Sequence, residues 1–119
     1  MFTKGFLNPK QLNRHFAMHG ADFRASGATA YEMLADMFLG GARVSPTKEC
    51  TRGRGDVVRF NPITDEYGVA DSNGTIRTYF KPVPCSSLRG AIKISMISTG
   101  RCHRHASNLL YFLSECKKW

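Results

Sequence analysis

Two pairs of histidines are the residues of this chain best suited to acid–base chemistry. His15 and His19 stand four residues apart, and His103 and His105 stand two apart. Imidazole exchanges protons near neutral pH, and side chains four residues apart on a helix lie on neighbouring turns of one face. A single histidine is more often a packed or solvent-facing residue than a catalyst. Four histidines in a basic chain make proton transfer a function worth testing.

A polar run in a predicted strand supplies groups that could hold a phosphodiester. Side chains alternate across a strand, so Thr75, Arg77 and Tyr79 are expected on one face, with Lys81 just beyond them. Such a face could cradle a phosphate, and the ordinary alternative is a solvated face without function. The opposite face of the strand is expected to hold the other side chains of the run: Ile76, Thr78 and Phe80.

Imidazole, guanidinium and ammonium groups together can cleave RNA without a metal ion. The reaction needs a base for the ribose 2′-OH, an acid for the departing 5′ oxygen and cations for the charge that builds on phosphate. A two-metal nuclease needs clustered carboxylates, and this chain has 9 Asp and Glu against 17 Lys and Arg. Its four cysteines include no CxxC pair of the kind typical of zinc sites. We therefore expect no metal and no other cofactor.

The formal net charge of +8 is unevenly distributed along the chain. Between Ser72 and Ser114 there is no carboxylate, and such an acid-free basic window predicts a polyanionic partner. A membrane surface would call for a basic amphipathic helix with Trp and Leu on its opposite face, but the only Trp is Trp119. Nucleic acid is the expected partner, and a membrane is not. The basic residues of the window are Arg77, Lys81, Arg89, Lys93, Arg101 and Arg104.

The length of 119 residues predicts one domain, spanning residues 1–119. No apolar run approaches the roughly 20 residues of a membrane span, and the first residues do not read as a signal peptide. We expect a cytoplasmic protein with four reduced thiols, although Cys85 and Cys102 bracket a loop and could pair under oxidation.

The first third of the chain has the pattern of two helices. Asn8 is a good cap and Pro9 a good first residue, and Gly20 ends this run. A second helix is expected from about Ser26 to Leu39, ending at Gly40–Gly41. Its buried stripe is predicted to be Tyr31, Leu34 and Phe38, with Glu32 and Asp36 on its wet side.

The middle of the chain predicts a three-stranded antiparallel meander over 56–60, 67–70 and 75–80. Asn61–Pro62 and Ser72–Asn73–Gly74 mark its breaks, and Asn-Gly is a strong hairpin signal because both residues tolerate positive φ. Residues 43–54 read as a polar loop, and residues 83–100 fit a strand or a helix. A closing helix over about 107–117 is expected to bury Leu109, Phe112 and Leu113, which gives an α+β domain with N-terminal helices packed on a small meander.

Several segments in this order resemble bacterial toxin ribonucleases. These are the C-terminal nuclease domains of polymorphic and contact-dependent toxins and their phage relatives, in the broad group with the barnase, EndoU, colicin D and RelE-like fold. The resemblance covers nearly the whole chain, and its specificity lies in the ordered set rather than in one motif. The segments that carry it are 15–23 (HFAMHGADF), 55–60 (GDVVRF), 60–62 leading to 67–69, 74–82 (GTIRTYFKP) and 107–112 (SNLLYF).

The resemblance implies a small metal-independent ribonuclease, commonly directed at tRNA and neutralised by a cognate immunity protein or antitoxin. It implies catalytic roles for His19, Arg77 and Thr78 and for one histidine before Asn108, where spacing favours His103 over His105. The link of about 20 residues from Val83 to Cys102 is longer than in such relatives and could bind substrate or partner. RNA contacts are expected from His15, Thr75, Tyr79, Lys81, Arg89, Lys93, Arg104, His105 and Asn108.

These expectations lead to a metal-independent endoribonuclease that forms a 2′,3′-cyclic phosphate and a 5′-OH end. One alternative is a nucleic-acid-binding module that keeps the fold and the basic face without turnover. Another is a basic interaction protein whose partner is acidic.

Overall fold

An antiparallel sheet lies between two helices on one face and a third helix on the other in the computed structural model, which describes residues 1–118. Its strands follow one another in the order β1-β2-β3-β4. The fold is α+β, as predicted. The elements are α1 (Pro9–His19), a 3₁₀ turn (Gly20–Phe23), α2 (Ala28–Gly40), β1 (Lys48–Thr51), β2 (Val57–Phe60), β3 (Tyr67–Ala70), β4 (Ile76–Phe80), a second 3₁₀ turn (Cys85–Ser87), α3 (Gly90–Ser98) and α4 (Asn108–Cys116).

Helix α1 begins and ends where the sequence predicts. Asn8 is the cap, and its side chain accepts a hydrogen bond from the Gln11 amide at 2.9 Å. Gly20 follows the last residue, His19, and a Cβ at Gly20 would lie 2.4 Å from the Phe16 ring. This glycine therefore allows the close packing that places His19 at the end of the helix.

The buried stripe of helix α2 agrees with the prediction at Tyr31, and Phe38 packs partly buried against the same core, but the prediction fails at Leu34. Tyr31, Ala35 and Leu39 are buried, whereas Leu34 is exposed. Asp36, predicted on the wet side, is only 4% exposed. Its carboxylate accepts hydrogen bonds from the backbone amides of Phe2 and Thr3. The prediction for Asp36 is wrong because the segment before α1 folds back over α2.

A fourth strand, β1, forms inside the region predicted to be a polar loop. It pairs with β2 in the register Cys50 to Val58, and Glu49 bonds Arg59 across the pair at 2.6 Å. Arg59 also donates to the carbonyl oxygens of Phe38 and Gly41 at the end of α2. The arginine thus joins the edge of the sheet to the helix above it.

Strand β4 contains a bulge that changes which side chains share a face. Ala70 pairs with Ile76 and Val69 pairs with Thr78, so Arg77 is an extra residue between the two pairs. Ile76 and Tyr79 consequently pack in the cluster under α2, whereas Phe80 packs in the cluster under α4. The prediction that side chains alternate strictly between the two faces of this strand is therefore wrong, because the extra residue at Arg77 shifts the alternation by one residue.

The turn before β4 is tight, as the Ser72–Asn73–Gly74 sequence predicts. The Gly74 amide donates to the Asp71 carbonyl at 3.0 Å, and Gly74 has φ of +86°. Asn73 does not share that positive φ, so only the glycine supplies the left-handed conformation of this turn.

The segment that sequence left undecided, 83–100, forms a 3₁₀ turn followed by helix α3. All of α3 remains exposed or half-exposed, including Ile92, Ile94 and Ile97 at 66%, 71% and 50%. The helix therefore stands apart from the core of the protein.

Helix α4 packs on the sheet through Phe112, as predicted, and through Tyr111 and Cys116, which were not predicted. Ser107 caps it by accepting from the Leu110 amide at 3.1 Å. Phe112 is 3% exposed and stacks with Phe60, but Leu109 and Leu113 are exposed. Their prediction as core residues is wrong, because the short helix presents a narrow face to β2.

All four cysteines form disulfide bonds. Cys50 of β1 joins Cys116 at the end of α4, and Cys85 joins Cys102 across the loop that carries α3. The prediction of four reduced thiols is therefore wrong. Disulfides are rare in cytosolic proteins, and a cytoplasmic location stays a prediction. No helix within residues 1–118 is long and apolar enough to cross a membrane.

Candidate active site

A cleft of about 520 Å³ opens between the end of α1, the end of β4 and the base of the α3 loop. It brings His19 and His103 together, although 84 residues separate them in the sequence. The cations Lys81 and Arg101 line the same cleft. Its other lining residues are Met18, Asp22, Phe80, Pro82, Val83, Met96, Gly100, Cys102 and Tyr111.

His19 is held at the cleft as an uncharged imidazole. Its ring stacks on Phe80 with 5.2 Å between centroids. Burial, followed by the nearby charges of His15 and Arg101, lowers the pKa of His19 to about 4. At pH 7 His19 therefore has a free lone pair and can accept a proton.

Lys81 and Asp22 line the same cleft, and the charge of Lys81 acts on the Asp22 carboxyl group. The Lys81 ammonium lies 5.5 Å from the centre of the Phe23 ring, a cation–π contact that fixes the end of the side chain. Burial raises the pKa of Asp22, and the positive charges of Lys81 and Arg101 offset part of that rise. The cleft thus combines a neutral base with cations.

His103 is fixed by contacts on its edge and on its face. Its ring stacks on Tyr111 with 4.6 Å between centroids and an interplanar angle of 17°. Nε2 lies 2.7 Å from Oδ1 of Asn108, and Nδ1 lies 3.2 Å from the backbone nitrogen of His105. His103 lines the first cleft and His105 does not, and the role of His103 as the site histidine stays a prediction.

Arg77 and Thr78 lie in a second cleft that adjoins the first. The two clefts share Phe80 and Tyr111 in their walls, so these rings form the boundary between them. The bulge in β4 brings Arg77 and Thr78 to the same cleft, and Arg77 is exposed. Within residues 1–118 no carboxylate forms an ion pair with Arg77.

Other charges of the second cleft neutralise one another. Arg52 donates to Glu115 at 3.1 Å and to Asp56 at 3.4 Å, and Arg54 donates to Asp56 at 3.2 Å. Arg77 is consequently the arginine of this cleft that is left to bind an anion.

Tyr79 does not belong to either cleft. It is 1% exposed, its hydroxyl donates to Glu66 at 2.5 Å, and its ring stacks on Phe23. The bulge turns it toward α2, so the prediction that Tyr79 contacts RNA is wrong. It is a core residue.

The remaining predicted RNA contacts lie around the clefts rather than in them. His15 packs against Phe6, and Thr75 belongs to the turn, where its amide donates to Asp71. Arg89 folds back on the carbonyl oxygens of Ser86 and Leu88. The others stand at the surface or beside His103: Lys93, Arg104, His105 and Asn108.

Sequence reasoning missed several residues of the site. Asp65 belongs to the turn between β2 and β3, and its carboxylate accepts from Asn108 at 3.1 Å. Its φ of +63° is a backbone signal that a sequence does not display. Asp22 was visible inside the segment that resembles toxin ribonucleases, beside His19, but only the fold shows that it lines the cleft. Phe80 and Tyr111 were assigned to structure and also form walls of both clefts.

No protein-family model matches the sequence, and no curated protein matches it. Among solved structures, a ribonuclease from Escherichia coli complexed with its inhibitor protein is similar to this chain. The two share 25% identity over 76% of this chain and 99% of that one, with a TM-score of 0.48. A likeness of this extent assigns no function. The residues that line the two clefts are the basis for a functional proposal.

Proposed function

We propose that this protein is an endoribonuclease that cleaves by attack of the ribose 2′-OH. The observation that carries the proposal is a neutral imidazole, His19, in one cleft with the cations Lys81 and Arg101. A base, an anion-binding group and a proton donor are what the transesterification requires.

The roles follow from the charge of each group at neutral pH. His19 takes the proton of the 2′-OH, whose oxygen then attacks the phosphorus. The Lys81 ammonium lines the same cleft and can donate a proton to the 5′ oxygen as that oxygen leaves. Arg101 offsets the negative charge on the phosphate, while His103 lines the cleft and can contact the RNA. The products are a 2′,3′-cyclic phosphate and a 5′-OH end.

Arg77 and Thr78 extend the binding surface into the second cleft. A guanidinium can hold both non-bridging oxygens of one phosphate, and the threonine hydroxyl can donate to one of the same two oxygens. A strand of RNA that crosses from one cleft to the other would pass Phe80 and Tyr111. We therefore assign Arg77 and Thr78 to phosphate recognition next to the reacting bond.

The substrate and the partner protein that the resemblance implies are also part of this proposal. tRNA is the proposed substrate, and the proposed partner is an immunity protein or antitoxin that covers the cationic clefts with carboxylates. The proposed reaction uses no metal ion. Within residues 1–118 no three His, Cys, Asp or Glu side chains are grouped so that they could hold one.

The first test is incubation with total tRNA in the presence and absence of EDTA, followed by mapping of both new ends. We expect cleavage in both conditions, with cyclic phosphate and 5′-OH termini. His19→Ala should lower the rate by a factor of about 10² to 10⁴ because the base is lost. Asn13→Ala, an exposed change on the same helix, is the control for effects on α1.

The alternative function is an RNA-binding module without turnover. It predicts that the wild-type protein binds tRNA and leaves it intact under every condition. Cleavage that disappears with EDTA would instead contradict the metal-independent mechanism.

A further inference from the structure

Both ring nitrogens of His103 have partners within the protein. Nδ1 accepts a hydrogen bond from the backbone N–H of His105 at 3.2 Å, so Nδ1 carries no proton. The ring proton therefore lies on Nε2, which donates it to Oδ1 of Asn108 at 2.7 Å. This pattern describes an uncharged imidazole in its Nε2–H tautomer.

A second argument, from Asp65, gives the same tautomer. A carboxylate only accepts hydrogen bonds, so it must face the NH₂ group of Asn108, and Nδ2 does lie 3.1 Å from Oδ1 of Asp65. The amide oxygen of Asn108 then points to His103 and requires an N–H there. Asp65 thus sets the orientation of Asn108, and Asn108 sets the tautomer of His103.

The turn that holds Asp65 is itself well fixed. Asn61 accepts hydrogen bonds from the backbone amides of Ile63 and Thr64 with its side chain, and its carbonyl oxygen accepts from the Asp65 amide at 2.8 Å. At the other end of this chain of hydrogen bonds, Asn108 is the first residue of α4. His103 is consequently tied to two separate elements of the fold.

Neither acid nor base catalysis suits an imidazole held in this way. An acid would need a second proton on Nδ1, where it would meet the N–H of His105. A base would need a free lone pair, and the one on Nδ1 is already used. What remains is a flat, uncharged ring that lines the cleft and stacks on Tyr111.

We propose that His103 is a stacking platform for a nucleobase of the RNA, and that Asp65 and Asn108 are its positioning residues. The inference rests on the proposed function, because it names the group of the RNA that this part of the cleft binds. Aromatic side chains bind single-stranded bases by stacking, which tolerates any base because each has a π-face.

Kinetics of His103 variants separate stacking from proton transfer. A platform predicts that His103→Phe keeps kcat/KM within about 10-fold of wild type, whereas His103→Ala raises KM by about 10- to 100-fold with kcat nearly unchanged. The pH–rate profile of His103→Phe should keep its wild-type shape. An equal fall in kcat of about 10² or more in both variants would overturn the proposal, since that is the signature of a lost acid or base.

A spectroscopic test does not depend on cleavage. The ¹⁵N NMR spectrum of the wild-type protein at pH 7 should show His103 with a proton on Nε2 and none on Nδ1. Asp65→Asn can present either its amide oxygen or its NH₂ group to Asn108, so it should weaken the preference for this tautomer and raise KM less than Asp65→Ala does. Asp65→Ala should lose the fixed tautomer and raise KM. A doubly protonated His103 ring in the wild-type protein would overturn the proposal.

Binding of oligoribonucleotides tests the stacking if the protein does not cleave RNA. The affinity of His19→Ala is measured for an oligonucleotide and for a series that lacks one base at successive positions. If His103 is a stacking platform, there should be one position in the oligonucleotide where the loss of affinity from removing the base and the loss from His103→Ala are not additive. Additivity at every position would contradict stacking, while absence of cleavage alone would contradict only the proposed function.

Discussion

The pH dependence of the proposed RNA cleavage should follow the protonation of one side chain, His19. Because its pKa is about 4, His19 remains a base as the pH falls from 7 to 5. We expect kcat/KM for RNA cleavage to stay nearly level over that range and to decline near pH 4. A decline centred near pH 6.5, the ordinary histidine value, would show that the ring is solvated in the working enzyme.

The same pKa makes stability depend on pH in a defined direction. The unfolded chain takes up a proton at His19 near pH 6.5, and the folded protein does so only near pH 4. The folded state is therefore favoured most above pH 6.5 and loses this contribution as the pH falls toward 4. Urea unfolding of wild type and His19→Gln should show a smaller decline for the variant over this interval.

Single residues also show where reading the sequence succeeds. Asn8, Pro9 and Gly20 act locally, so the bounds of α1 could be predicted from them. His19 could be singled out by its residue type and neighbours. The burial of Asp36 and the link between Asp65 and Asn108 depend on chain segments more than 30 residues apart, and no local pattern encodes such a contact.

The bulge in β4 is an element whose effect a sequence hides. An extra residue at Arg77 reverses the alternation that follows it, so Tyr79 enters the core and Arg77 joins Thr78 in the second cleft. The pattern of the strand itself looks regular. The three strands of the meander could be predicted, but the face of each side chain could not.

Arg77→Lys tests whether the bulge places a guanidinium for phosphate recognition. A lysine keeps the charge but cannot hold two phosphate oxygens in one plane, so we expect most of the cleavage activity to be lost and most of the RNA affinity to remain. Steady-state kinetics and a binding titration measure the two effects. Arg43→Lys, an exposed change outside both clefts, is the control. Wild-type turnover in both Arg77→Lys and Arg77→Ala would remove Arg77 from the site.

Helix α3 should contribute little to folding despite its apolar sequence. Replacing Ile92, Ile94 and Ile97 together by Ser removes side chains that are at least half exposed, so each change should alter the free energy of unfolding by about 0.5 kcal/mol or less. Phe112→Ala, at a buried position, should cost about 3–5 kcal/mol. Chemical denaturation compares them. A similar loss in both variants would mean that α3 is covered in solution.

The two disulfides act on the whole molecule in different ways. In the chain-entropy account, Cys50–Cys116, with a sequence separation of 66, stabilises the fold by about 4 kcal/mol, and Cys85–Cys102, with a separation of 17, by about 3. Replacing the first pair by Ser should lower the unfolding free energy more. Only the second pair should also lower activity per folded molecule, because Cys102 lines the first cleft. Unfolding curves and active-site titration measure the two quantities, and equal activity loss in both variants would contradict this division.

The base of the α3 loop has a consequence for engineering the protein. Cys85 and Cys102 hold the loop ends with Cα atoms 5.0 Å apart, and backbone hydrogen bonds join Cys85 to His103 and His103 to Val83. The disulfide and these two backbone hydrogen bonds hold the ends of the loop together at its base. The interval from Arg89 to Ser95, which lines neither cleft, is therefore a natural acceptor for a foreign peptide, which the scaffold would display in a constrained form while its core stayed intact.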